Sequence, residues 1–283
     1  MEALCVVSLA SAYMNFTEGT VPTELAIARL NNSVILGTPR FAPQTDDELH
    51  TAIWTMWNLL NAQMYHHSLA SGRTSGMRWQ TGYFREVQAR RMVQLARANR
   101  VRRYCETGMN AGHSASVVLL ANPNVLVHTF DIMGSAWSPH VVQLLNASFP
   151  GRFHAHTGRS QVTLPPFVDT LHTQGKRCDL VLVDGGHDRS SASFDLRTFG
   201  RASHAGTRFV IDDIQMQPGK ALNAEVSRGN VEVMERYGPF AARSKLSPCM
   251  RKPPWDHKKA VCFGWGFAVG RYVHPGVARE ALL

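Results

Sequence analysis

Apolar residues recur along the chain at two different spacings, and the change of rhythm divides it. From Asp46 to about Ala70 the spacing is helical. Ile53, Trp54, Met56, Trp57, Leu60 and Met64 form one stripe behind the acidic start Asp46-Asp47. The run Ser71-Gly72-Arg73-Thr74-Ser75-Gly76 breaks it. A second helix is predicted over about Gly82 to Asn99, with Phe84, Val87, Met92, Val93 and Leu95 facing inward. From Val101 onward, short apolar runs alternate with helical patterns. Strands are predicted at 101–106, 125–131, 152–157, 178–184 and 207–212, and helices at 114–121, 139–147, 166–174 and 191–199. This alternation predicts a parallel sheet with helices on both faces. The strand runs are apolar throughout, as in Leu180-Val181-Leu182-Val183, which fits strands buried on both sides. The stretch Cys262 to Val269, after a proline- and lysine-rich loop at 248–259, reads as a closing antiparallel edge strand. Residues 1–45, with Pro22, Pro39 and Pro43, read as an irregular arm. The expected division is an N-terminal arm and helical extension at 1–78, a candidate lid, followed by the sheet domain at 79–283.

Composition narrows the class. The chain has 283 residues, 44% hydrophobic and 18% charged, enough to bury one large core without staples. No run approaches the roughly 20 apolar residues of a membrane-spanning helix. Five cysteines, widely spaced and without a Cys-x-x-Cys pair, argue against a zinc cluster or a disulfide scaffold. The apolar run Leu4 to Leu9 is preceded by Glu2 and no Lys or Arg, the wrong charge for a secretory signal. Three Asn-x-Ser/Thr triplets, at Asn15, Asn31 and Asn146, stand where chance gives about one or two. A reduced, cytoplasmic setting is therefore the expectation, with the secretory pathway left open. The net charge of +9 suits an anionic substrate, a membrane surface or a nucleic acid without choosing among them. Arg85, Arg90, Arg91, Arg97, Arg100, Arg102 and Arg103 follow a helical segment and read first as a solvated face.

Chemistry concentrates just after the strands, where ligands of open α/β sheets bind. The first such loop is Glu106-Thr107-Gly108-Met109-Asn110-Ala111-Gly112-His113-Ser114. Its glycines permit close backbone approach to a ligand, and the helix beyond offers free N–H groups. The third glycine of a dinucleotide loop is missing and a carboxylate ends the strand, which suits a cationic or amine-bearing ligand better than a pyrophosphate. Asp131 ends the next strand, 25 residues after Glu106, where a carboxylate can accept from ribose hydroxyls. Gly158-Arg159-Ser160 follows the third strand, and Ser160 could meet an adenine edge. Asp184-Gly185-Gly186-His187 ends the most apolar strand, and Asp212-Asp213 ends the next. Carboxylates converging there repel unless a proton or cation joins them, and such oxygen ligands suit Mg²⁺ or Mn²⁺.

The order of these pieces resembles the class I S-adenosylmethionine (SAM)-dependent methyltransferases, and within them the small-molecule O-methyltransferases whose fourth strand ends in Asp-Gly-x-His. Val183-Asp184-Gly185-Gly186-His187, then Asp195-Leu196, then Gly206-Thr207-Arg208-Phe209-Val210-Ile211-Asp212-Asp213 carry the resemblance, which covers about residues 80 to 215. It implies a Rossmann-like, mostly parallel seven-stranded sheet with an antiparallel edge strand. It implies that Glu106, Gly108, Asn110, Gly112 and Ser114 line the methionine and ribose part of the cofactor, with Asp131 on the ribose, Ser160 near the adenine and Asp184 at the same pocket. Asp184, Asp212 and Asp213 would bind a divalent cation such as Mg²⁺, and Asp184 and His187 would be catalytic beside a small-molecule hydroxyl. Three other readings compete: a methyltransferase acting on RNA or another nucleic acid, a nicotinamide-dependent oxidoreductase, and a non-catalytic nucleotide-binding module. The sequence leaves the acceptor and the oligomeric state open.

Overall fold

The computed structural model describes residues 45–70, 84–240 and 265–274. The arm before Thr45, the Ser71–Gly76 break and the 248–259 loop lie outside the described residues. Five parallel strands, β1 (Arg103–Thr107), β2 (Leu126–Asp131), β3 (Phe153–Thr157), β4 (Leu180–Val183) and β5 (Arg208–Ile211), are continued by two antiparallel ones, β6 (Val231–Phe240) and β7 (Trp265–Tyr272). The order across the sheet is β3-β2-β1-β4-β5-β7-β6. The direction of winding therefore reverses between β1 and β4, which is where such sheets open a crevice for ligands.

Each face of the sheet has its own core. On one side α1 (Asp46–Ala70), α2 (Glu86–Ala96), α3 (His113–Ala121) and α4 (Ser138–Ser148) pack on Tyr104, Leu180, Leu182 and Val210. On the other, α5 (Ser160–Thr173), α6 (Arg189–Arg201) and α7 (Gln217–Ser227) pack on Cys105, Val181, Val183, Phe209 and Ile211. β4 shows why its run is apolar throughout: alternate residues point to opposite cores, and all four are buried. Burying each such side chain contributes about 1.5–3 kcal/mol.

The stripe on α1 behaves as its spacing predicts. Met56 and Leu60 are wholly buried, and Trp57 donates its indole N–H to the His113 carbonyl at 3.2 Å, so this helix is fastened beside the loop that follows β1. Several expectations need correction. α2 is shorter than predicted and Val87, expected inward, is exposed, because it lies in the first turn on the outer side of the helix. α5 begins at Ser160, not Pro166; Pro165 and Pro166 sit within the helix, where each lacks the N–H that would bond one turn back. The last strand is not itself the edge: β7 lies between β5 and β6, and β6 is the outer strand. Three of the seven clustered arginines are tied into ion pairs, Arg90 with Glu86, Arg91 with Glu235 and Arg97 with Asp46.

The cysteine spacing misled most. Cys105 and Cys178 form a disulfide across 73 residues of sequence, with Cα atoms 6.0 Å apart, because β1 and β4 are neighbours in the sheet. Sequence separation says nothing about adjacency in a parallel sheet, and this pair, a feature of oxidising compartments, removes the argument for a reduced setting. No described helix is long and apolar enough to cross a membrane.

On the α5 side, His128 of β2 faces His154 and His156 of β3, with its ring 4.8 Å from Phe167. Burial, then the two neighbouring imidazoles, push His128 down to about 3. An unfolded histidine takes up its proton near pH 6.5, and the folded one does not. The contribution of His128 to stability is therefore steady above pH 6.5 and falls as pH drops from there toward 3. In thermal melts His128→Phe should flatten much of this acid-side loss; parallel pH curves for the two proteins would show that the cluster does not govern it.

Candidate active site

The acidic residues picked out in the sequence stand at the carboxyl ends of four adjacent strands, in the spatial order Asp131, Glu106, Asp184, Asp212-Asp213. They are close enough to feel one another: Glu106 and Asp131 both raise the pKa of Asp184, as do Asp212 and Asp213. The β1 loop reaches this rim because Gly108 has φ +86° and passes so near β4 that a Cβ there would lie 1.9 Å from the Asp184 carbonyl oxygen. Its N–H donates to the Phe130 carbonyl. Gly112, also at positive φ, caps the start of α3.

Glu106 is wholly buried. Its Oε2 accepts from the Tyr104 hydroxyl at 2.6 Å and from Ser114 Oγ at 2.7 Å, whereas Oε1 has no partner. Burial raises its pKa to about 7 against the lowering effect of these two hydroxyls. An oxygen held in place and left unsatisfied is an acceptor waiting for a donor. Asp131 joins two loops: Oδ2 accepts from the Asn110 N–H at 2.8 Å and Oδ1 from the Met133 N–H at 2.7 Å. Each oxygen keeps a lone pair for another donor.

At the β4–β5 end, Asp184, Gly185, Gly186, His187, Asp212, Asp213 and Pro218 line a shallow hollow. Burial, then Asp212 and Asp213, put Asp184 well above the ordinary carboxylate range. Asp212, raised to about 6 by burial and by Asp213, accepts from the Asp213 N–H at 2.8 Å and is steadied by the Gln88 side chain. Burial alone would raise Asp213 too, but its bond to His187 holds it below the usual value. Its Oδ2 lies 2.8 Å from His187 Nδ1, and its Oδ1 accepts from the Gln215 amide at 2.7 Å. That bond raises the His187 pKa above 6.5. Ser160 is the first residue of α5 and stands by Asp195 of α6.

The divalent cation expected at Asp184, Asp212 and Asp213 meets a different arrangement. Oxygen donors suit it, but among the described residues no three His, Cys, Asp or Glu side chains are grouped as a metal site. The cause is local. Asp213, at φ +54°, turns to His187 and Gln215, and Asp212 turns to the amide of its neighbour. As they stand, these residues do not fit a shared ion.

Sequence reading missed Tyr104, Gln88 and Gln215, and it named Asp195 only as part of a motif, with no role. Tyr104 had a signal: two residues before Glu106 on one strand, it shares that residue's face. The others reach the rim from helices and loops whose docking no local pattern gives.

Residues 105–214 match the family model described as a methyltransferase domain. No curated protein matches the chain. Among solved structures, the O-methyltransferase TomG from Streptomyces achromogenes, involved in tomaymycin synthesis and in complex with SAM, is similar at TM-score 0.53 and 16% identity, over 76% of this chain and 89% of that one. The O-methyltransferase from Bacillus cereus in complex with SAH is similar at TM-score 0.50 and 10% identity, over 79% and 99%. The chain thus shares its fold with these two O-methyltransferases, and residues 105–214 match a methyltransferase domain.

The close passage at Gly108 gives a direct structural test. Gly108→Ala adds a methyl against the Asp184 carbonyl at a backbone angle that L-residues rarely adopt. It should lower unfolding free energy by about 2 kcal/mol or more in urea titrations. An unchanged midpoint would mean that β1 and β4 do not approach this closely.

Proposed function

We propose that the protein transfers the methyl group of SAM to a hydroxyl oxygen of a small molecule, with His187 as the general base. The observation that carries this reading is the His187–Asp213 pair, 2.8 Å apart, at the edge of the hollow that Asp184 shares. SAM brings an electrophilic methyl on a sulfonium. Glu106, with its unpartnered Oε1, would receive the cofactor's amino group, and Asp131 its ribose hydroxyls; Gly108, Asn110, Gly112 and Ser114 would shape the loop around them. The acceptor would sit above the hollow. Its oxygen attacks the methyl carbon as the C–S bond breaks, and the hydroxyl proton passes to Nε2 of His187. Asp213, bonded to the other ring nitrogen, fixes the tautomer and steadies the imidazolium. Both structural neighbours are O-methyltransferases, which supports an oxygen acceptor.

Because His187 must be neutral to act, and its bond to Asp213 raises its pKa, turnover should be lost as pH falls through a value above 6.5. His187→Ala should lower kcat about 10²–10⁴-fold with SAM affinity kept. Asp213→Asn should move the acid limb of the kcat profile to lower pH. A His187→Ala enzyme with full activity would remove the base from this scheme.

No step above passes through a metal. Activity with a small hydroxylated acceptor should stay within about twofold when EDTA is added, a change too small to reflect loss of a group stabilising the transition state. Loss of activity with EDTA, restored by Mg²⁺, would mean that Asp213 leaves His187 to bind an ion with Asp184 and Asp212.

A further inference from the structure

Asp195 takes no part in the scheme above, yet its carboxylate is enclosed beside the rim. It lies in the middle of α6 with no exposed surface, and neither of its oxygens has a hydrogen-bond partner. Its surroundings are all pieces of the proposed cofactor pocket. A Cβ placed on Gly185, in the Asp-Gly-Gly-His turn, would lie 3.2 Å from its Oδ2 and 3.1 Å from the Thr107 Cβ. Thr107 ends β1, immediately before Gly108. The hydroxyls of Thr107 and of Ser160, which opens α5, are the groups that favour its charged form. Asp188 opposes that form from the start of α6, and the buried Tyr272 of β7 feels its charge. Thus one carboxylate stands under the β1 loop, the β4 turn and the first residue of α5 together.

We propose that Asp195 is a positioning residue for the cofactor pocket: ionised, it draws the Thr107 and Ser160 hydroxyls inward and fixes the Gly185 turn, and protonated, it releases them. The inference rests on the reading of this rim as a SAM site. A charged carboxylate accepts from both hydroxyls, whereas the acid can accept from one and must donate to the other. Burial raises the Asp195 pKa to about 6, so the two states exchange within the range where the protein can be studied. Cofactor affinity should then fall as pH drops through about 6, in addition to a fall near 7 from protonation of Glu106.

Calorimetric titration of the full chain with SAM between pH 5 and 8 tests this. Asp195→Asn keeps shape but cannot ionise. It should bind SAM about tenfold more weakly than wild type at pH 7.5 and equally at pH 5, one charge-assisted bond being of that order. Ser160→Ala, which leaves Asp195 and the core in place, should weaken binding at pH 7.5 and shrink the step near 6, and it serves if Asp195→Asn fails to fold. Wild-type affinity at pH 7.5 in both variants, whatever their melting temperatures, would overturn the positioning role and leave the SAM reading standing. Absence of SAM binding by the wild-type chain at every pH would overturn both.

Discussion

Four neighbouring parallel strands deliver their carboxyl ends to one rim, and each end carries at least one acid. Like charges brought together in partial burial raise one another's pKa and oppose folding. The structure answers this differently at each position. Glu106 is met by two hydroxyls, Asp131 by two backbone amides, and Asp213 by an imidazole and an amide. Asp184, in the middle, has Glu106 and Asp131 on one side and Asp212 and Asp213 on the other, and it bears the largest burden. The remaining excess of negative potential is what a ligand carrying a sulfonium and an ammonium would relieve. Once the methyl has left, the sulfonium charge is gone and that part of the attraction goes with it. On the proposed reading, a rim built this way would favour the donor over its product without any residue moving.

Much of this was legible in the sequence because strands buried on both faces cannot hide. β4 has to be apolar at every position to serve two cores, so its end, and the Asp-Gly-Gly-His after it, can be read directly. The same logic located the ends of β1, β2 and β5. It failed for β6, whose Val231-Glu232-Val233-Met234-Glu235-Arg236 mixes charge with apolar residues because an outer strand meets water on one side. The Cys105–Cys178 pair was invisible for a related reason. A parallel neighbour can be any strand in the chain, and only the order of the sheet reveals that β1 lies against β4.

The parts of the site that the sequence concealed are those that act through a second residue. Tyr104 matters only because Glu106 shares its face, Gln215 only because it holds Asp213, and Asp195 only because α6 lays it beneath Gly185. Each is an ordinary residue in its own element. A side chain that touches ligand must stand at a strand end, and strand ends can be predicted. A side chain that orients another can come from anywhere the packing permits.

The Asp212-Asp213 pair shows how far a motif constrains chemistry. Two adjacent acids after a strand read naturally as two oxygens for one ion. That reading assumes both side chains leave the strand toward the same point. Successive residues of an extended strand point to opposite faces, so a shared ion needs the backbone to turn between them. Here it does turn, with Asp213 at positive φ, but the turn carries its carboxylate to His187 and lets its N–H cap Asp212. The partner that Asp213 finds is thereby an imidazole of the chain itself. The turn of the backbone at Asp213, more than the identity of the two acids, decides where its carboxylate points.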